Sequence, residues 1–185
     1  LVHAMSSPWE QIVIAPDTHY RAIIGTRELW VRRNADERYV YHAQHEQQPD
    51  LLGLVESDQK PDDSMAGQRW IGIGDREALR LVPVMPDRPL VVRPRETTQI
   101  PAGAKGVISV GIPLWIRVQV EGKAKSATPI VLCEIPTESL SNTWFGDPAA
   151  GELCYALDAQ ASSGFATEFT TPWRVVCPIS IENSS

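Results

Sequence analysis

Three observations predict an all-β fold: a β-sandwich that is immunoglobulin-like in its C-terminal half and carries an N-terminal β extension. The 15 prolines and 12 glycines of this 185-residue chain fall between short apolar runs, at intervals too short for long helices. The runs are rich in Val and Ile and alternate apolar with polar side chains, which is the period of a strand. About ten to twelve of them follow one another at the spacing of a sandwich. The organisation expected is an N-terminal β-rich region over residues 1–80 and a sandwich over residues 81–185, packed as one unit.

Taken in order, Gln11 to Ala15 and His19 to Ile24 are short β-branched runs closed by Pro16-Asp17 and by Gly25. Glu28 to Arg33 and Arg38 to His42 flank Asn34-Ala35-Asp36-Glu37, a polar turn led by Asn, and so read as a hairpin. Alternation sets Leu29 and Val31 against Trp30 and Arg32, and Val40 against Tyr39 and Tyr41, so both faces of the hairpin carry large side chains. Residues 43–68 form a polar loop in which Leu51 to Val55 are the residues expected to pack. Arg69 to Gly74 and Glu77 to Val84 are read as the next strands.

From Pro89 the pattern becomes regular. Leu90 to Arg93 lies between Pro89 and Pro94, which suits an edge strand. Lys105 to Val120 is a long β run interrupted by Gly111 and Pro113, where a bulge or a corner between sheets is expected. Ile130 to Ile135 and Glu152 to Leu157 flank the most distinctive loop of the chain, Leu140 to Pro148. Gln160 to Thr171 is rich in Ser, Thr and Gly, with Phe165 and Phe169 as isolated anchors. Trp173 to Ile181 is the last strand and sets Val175, Cys177, Ile179 and Ile181 on one face. Because the chain stops in a turn just past an apolar strand, a native continuation beyond Ser185 is expected. Leu1 to Ala4, ahead of Met5, read as residues preceding a native start.

A hydrophobic fraction of 43% with 22% charged residues is that of a folded protein rather than a disordered one. The formal net charge of −6 argues against nucleic acid as the partner, because the surface repels phosphates on average. Cys133, Cys154 and Cys177 are odd in number and unpaired in spacing, so a reducing, cytoplasmic compartment is expected rather than a secreted disulfide framework. The N-terminus has no charged region followed by an apolar one, and no apolar run reaches the roughly 20 residues of a membrane helix.

Several stretches, RPLVVRP (Arg88 to Pro94), IPLWIRV (Ile112 to Val118), LSNTWFGDP (Leu140 to Pro148), GELCYAL (Gly151 to Leu157) and VVCPISIENSS (Val175 to Ser185), together resemble an uncharacterised archaeal and bacterial family, the domain of unknown function numbered 432. The resemblance covers Trp70 to the C-terminus, with the hairpin of Leu29 to Tyr41 as a weaker continuation. It implies further strands past the Asn-Ser turn and an accessory role beside membrane channels of the mechanosensitive type. It implies no catalytic residues.

The candidate site is the loop, with Asn142, Trp144, Phe145 and Asp147 as its binding residues. On one reading Trp144 and Phe145 project as a hydrophobic finger rimmed by Asn142 and Asp147, since aromatics at the centre of an exposed patch dominate interface energies. On the other, Trp144 plugs the core while Asn142 and Asp147 bond the loop's own backbone. The three cysteines lack the ligand set of a zinc site, and two of them fall in phase with core residues. His42, His45 and Glu46, with His19, read as solvated side chains rather than as a metal site, and Glu134, Glu138, Asp147 and Glu152 lack a tuning base within residues 129–157. No cofactor and no metal are expected. The function expected is a non-catalytic interaction or accessory module that binds protein, with a homodimer as one assembly. The alternative is a small-ligand or metal-binding protein or enzyme using a sandwich pocket near Trp70 and Trp115.

Overall fold

The computed structural model describes residues 9–35, 37–44, 53–62, 64–71, 73, 76–94, 97–122, 127–159, 162–163 and 171–184. These residues form strands, turns and loops with no helix among them, so the fold is all-β. His45, Glu46, Leu51, Asp75, Phe165 and Phe169 lie outside the described residues.

The chain divides into two compact units. The first comprises residues 1–84 and 115–138, and the second residues 85–114 and 139–185. In the first, β2 (His19–Ile24), β3 (Arg27–Asn34) and β4 (Glu37–Gln44) form the centre of a five-stranded antiparallel sheet, flanked by β5 (Val55–Ser57) and β6 (Ala66–Trp70) in the order β5-β2-β3-β4-β6. A second sheet pairs β1 (Gln11–Val13), β7 (Ala78–Val84), β10 (Trp115–Glu121) and β11 (Ile130–Pro136) in that order. Period-two alternation buries Ile116, Val118 and Val120 on β10, Leu79 and Leu81 on β7 and Val40 on β4, whereas β2 and β3 bury consecutive residues, Ala22 to Ile24 and Leu29 to Val31. A register shift between Val118 and Gln119 sets Leu132 beside the β10 ladder as an extra residue, and both Leu132 and Ile135 are buried.

Polar side chains tie the two sheets of this unit together. Thr137 O accepts from Thr26 N at 2.8 Å and Thr26 Oγ1 at 2.9 Å, and Arg27 Nε donates to Pro136 O at 3.0 Å. Gly25, at φ +62°, lies so close to Thr137 that a Cβ there would fall 2.7 Å from its carbonyl oxygen. Arg33 donates to Ile14 O at 3.2 Å and to Glu77 at 3.3 Å. Arg38, fully buried, donates to Ala35 O, Glu37 O and Arg76 O and so anchors the β3–β4 turn.

That turn is tighter than the four-residue one expected. Asn34 and Glu37 pair directly, with Ala35 in the left-handed region at φ +44°, and Asp36 lies outside the described residues. The strand expected over Arg69 to Gly74 lies earlier: β6 ends at Trp70, because its pairing with β4 starts opposite His42.

The second unit holds two three-stranded sheets. One has the order β12 (Ser141–Phe145), β13 (Glu152–Ala159), β8 (Leu90–Pro94), and the other β14 (Ser162–Ser163), β9 (Lys105–Pro113), β15 (Arg174–Glu182). β8 is an edge strand, as its flanking prolines require, and it runs parallel to β13. Val110 of β9 and Leu157 of β13 are buried against each other with Leu90, Val92, Ile108, Ile112 and Leu140 around them, which joins the two sheets into one core. The corner expected near Gly111 to Pro113 falls at Leu114, where the chain leaves β9 and enters β10 of the first unit.

Two predictions follow from the packing of the first unit. Replacing Arg38 with Ala removes the donor to three carbonyls and empties a buried site, and the cost expected is about 3–5 kcal/mol in urea unfolding. His42 is held below its ordinary value of 6.5 by burial and then by the charge of Arg27. A depressed histidine favours the folded state above its unfolded value. Stability is therefore expected to be full above pH 6.5 and to fall as pH drops below it. His42→Gln flattens that slope in pH-dependent melting.

Candidate functional site

β12 and β13 form a hairpin whose connection runs from Gly146 to Gly151. Asp147 organises it. Its carboxylate Oδ1 accepts from Ala149 N at 2.8 Å and Ala150 N at 3.2 Å, a local motif to which Asp is suited. Its carbonyl accepts from Gly151 N at 2.6 Å and from the Trp144 indole Nε1 at 3.0 Å. Gly146 supplies φ +98°, which an L side chain rarely adopts. Gly151 lies beneath the indole. A Cβ there would stand 2.5 Å from Phe145 O and 2.7 Å from Asp147 O and would overlap Trp144 Nε1.

The loop thus holds its aromatic neighbour in one orientation without burying it. Trp144 is 50% exposed, Phe145 64% and Leu153 42%. Trp144 and Leu153 are register partners and share a face, whereas Phe145 pairs with Glu152 on the opposite one. The face of Trp144 continues through Asn142 and Tyr155 to the core residue Leu157.

Two arginines reach this hairpin from the β8 segment. Arg88 Nη1 donates to Asn142 Oδ1 at 3.2 Å while its guanidinium lies 5.4 Å from the centre of the Tyr155 ring. Arg93 Nη2 donates to Thr143 Oγ1 at 3.1 Å. The Tyr155 hydroxyl donates to Asp87 Oδ1 at 2.8 Å; burial and then this carboxylate push the phenol up, so it stays a neutral donor. Arg88, Arg93, Leu153 and Tyr155 are absent from the expected site. Alternation in RPLVVRP places Arg88 and Arg93 on opposite faces, but their arrival at this hairpin depends on the parallel pairing of β8 with β13.

The four expected residues therefore divide in their roles. Trp144 and Phe145 offer apolar surface to solvent, Asp147 is spent on its own loop, and Asn142 accepts from Arg88. The remaining titratable candidates are dispersed. His19 and His42 lie on strands separated by β3, paired with Arg32 and Leu29 and so on opposite faces. Glu134 is bonded to Arg117 at 2.7 Å. The cysteines occupy three different sheets and are all free, and burial followed by the Glu134 charge pushes the Cys133 thiol up to about 12. Trp70 ends β6 and Trp115 begins β10, in different sheets. Among the described residues no three His, Cys, Asp or Glu side chains come together, and no helix is long and apolar enough to cross a membrane.

Residues 8–185 match the model of a family described as "Protein of unknown function (DUF432)". The chain belongs to this family. No curated protein and no solved structure matches the chain. The DUF432 assignment covers both units, so the hairpin and the two arginines that reach it lie within the region the family model spans.

Placing a methyl group beneath the indole tests the loop geometry. Gly151→Ala is expected to displace Trp144 from Asp147 O and to destabilise the chain by roughly 1–3 kcal/mol, the range for a forced contact. The check is a shift in tryptophan emission together with a lower melting temperature.

Proposed function

We propose that this chain is a non-catalytic interaction module that binds a protein partner through the β12–β13 hairpin. The observation that carries the reading is the state of Trp144: half exposed, yet fixed by its indole bond to Asp147 O and by its fit over Gly151. A rigid aromatic gives up little entropy on binding, and burying its exposed half contributes on the order of 2–3 kcal/mol. Leu153 extends the apolar surface beside it, Phe145 exposes a second one on the other face, and Arg88 and Asn142 form a polar rim. The free state of all three cysteines supports a reducing, cytoplasmic setting. The immunoglobulin-like character of the C-terminal half and an accessory role beside a membrane channel belong to the same reading.

The test is capture by the full chain with a photo-crosslinking residue in place of Phe145. Partner recovered on the wild-type background is expected to fall by about ten- to a hundredfold with Trp144→Ala, the range for an aromatic at an interface centre. The melting temperature is expected to fall by a few degrees at most, leaving the chain folded at the temperature of the assay. Equal recovery on both backgrounds overturns the reading.

A further inference from the structure

The docking reading does not say what kind of segment the hairpin takes; the backbone does, and the inference rests on that reading. In the parallel pair, Tyr155 N donates to Pro89 O at 2.8 Å, so the backbone groups of Tyr155 point toward β8. Those of Glu152, Cys154 and Ala156 then point the other way, to Phe145, Thr143 and Ser141 of β12. What remains on β12 is the N–H and C=O of Asn142 and of Trp144, which face away from β13 along an edge that no described strand covers.

Proline interrupts the outer edges of β15 and β8 in this unit. In β15 the bonds from Leu114 N to Trp173 O and from Asn183 N to Ala104 O set the alternation: odd-numbered residues face β9 and even-numbered ones face outward. Pro178 occupies an outward position and presents no N–H there. In β8 Pro89 faces β13, and of the outward residues Leu90, Val92 and Pro94 the last presents no N–H. Proline on an edge prevents strand pairing. β12, with the sequence Ser-Asn-Thr-Trp-Phe, has none.

We propose that β12 receives an extended segment of a partner protein by antiparallel strand addition, and that the segment carries two adjacent apolar residues followed by two adjacent acidic ones. Asn142 and Trp144 supply the main-chain bonds. An incoming residue opposite Phe145 meets that ring, and the next, opposite Trp144, meets the indole and Leu153 on the other face. The third, opposite Thr143, faces the guanidinium of Arg93, and the fourth, opposite Asn142, faces that of Arg88. The guanidiniums stand on opposite faces of the sheet, matching the alternation of two consecutive acidic side chains. Each guanidinium already has a carboxylate neighbour, Asp87 at 4.0 Å from Arg88 and Asp158 as the register partner of Arg93, so the incoming acidic side chains add to these rather than meeting an isolated charge.

The experiment is fluorescence anisotropy of the fluorescein-labelled octapeptide TTVLEETT against the full chain, beside the charge-reversed TTVLKKTT. Saturable binding of the first is expected, at least about tenfold tighter than that of the second, with the preference reversed in the double variant Arg88→Glu, Arg93→Glu. Asn142→Pro removes one outward N–H while leaving the β12–β13 ladder whole. With the melting temperature kept, it is expected to weaken the peptide about tenfold relative to Asn142→Ala, which loses the Arg88 bond but keeps the outward N–H. No saturation by TTVLEETT, or equal binding to wild type and Asn142→Pro, overturns strand addition. A crosslinked partner lost with Trp144→Ala but kept with Asn142→Pro leaves the docking reading standing and removes this one. A partner lost with neither removes both.

Discussion

The obligation of every buried backbone N–H and C=O to find a partner governs this molecule. Neither unit has a helix among the described residues to satisfy those groups within one segment, so each strand depends on a neighbouring strand, in hairpins such as β2–β3 the next in sequence and in pairs such as β7–β10 a distant one. β10 is the clearest case. It bonds β7 on one side and β11 on the other, with one bulge at Leu132, and this pairing on both sides lets Ile116, Val118 and Val120 be withdrawn fully from water. The polar contacts of the first unit extend the same rule to the strand ends, where Arg27, Arg33 and Arg38 close carbonyls that no strand reaches.

In the second unit the rule has a different consequence. Three-stranded sheets have as many edges as larger ones but only one interior strand each, so unpaired backbone is a larger share of what they present. Proline answers this at β8 and β15. The hairpin at β12 instead leaves its edge open beside the most exposed aromatic pair among the described residues, next to a loop whose hydrogen bonds converge on one aspartate. Rigidity and accessibility, usually opposed, are combined because Asp147 and Gly151 fix the indole from below rather than by covering it.

Much of the strand content is legible in the residues because period two is a local property. The faces of Leu29, Val31 and Val40, the edge position of Leu90 to Arg93 and the break near Pro113 all follow from side-chain order and from what proline forbids. The site was half legible. An Asn-Thr-Trp-Phe-Gly-Asp-Pro run marks a shaped loop with aromatics, but whether Trp144 faces water or core depends on how far the opposing sheet extends, which no local pattern records.

The sequence by itself determined the all-β class, the alternation within each strand and the turn chemistry of Asp147, since these are set by neighbouring residues along the chain. Tertiary structure alone decided the rest. It placed the β10–β11 hairpin with the first unit although it follows β8 and β9 in sequence, it ran β8 parallel to β13, and it brought Arg88 and Arg93 to Asn142 and Thr143 across about 50 residues of chain. Strand pairing is chosen by which backbone edges meet in three dimensions. A backbone edge carries the same donors and acceptors whatever its sequence, so the residues alone do not name its partner.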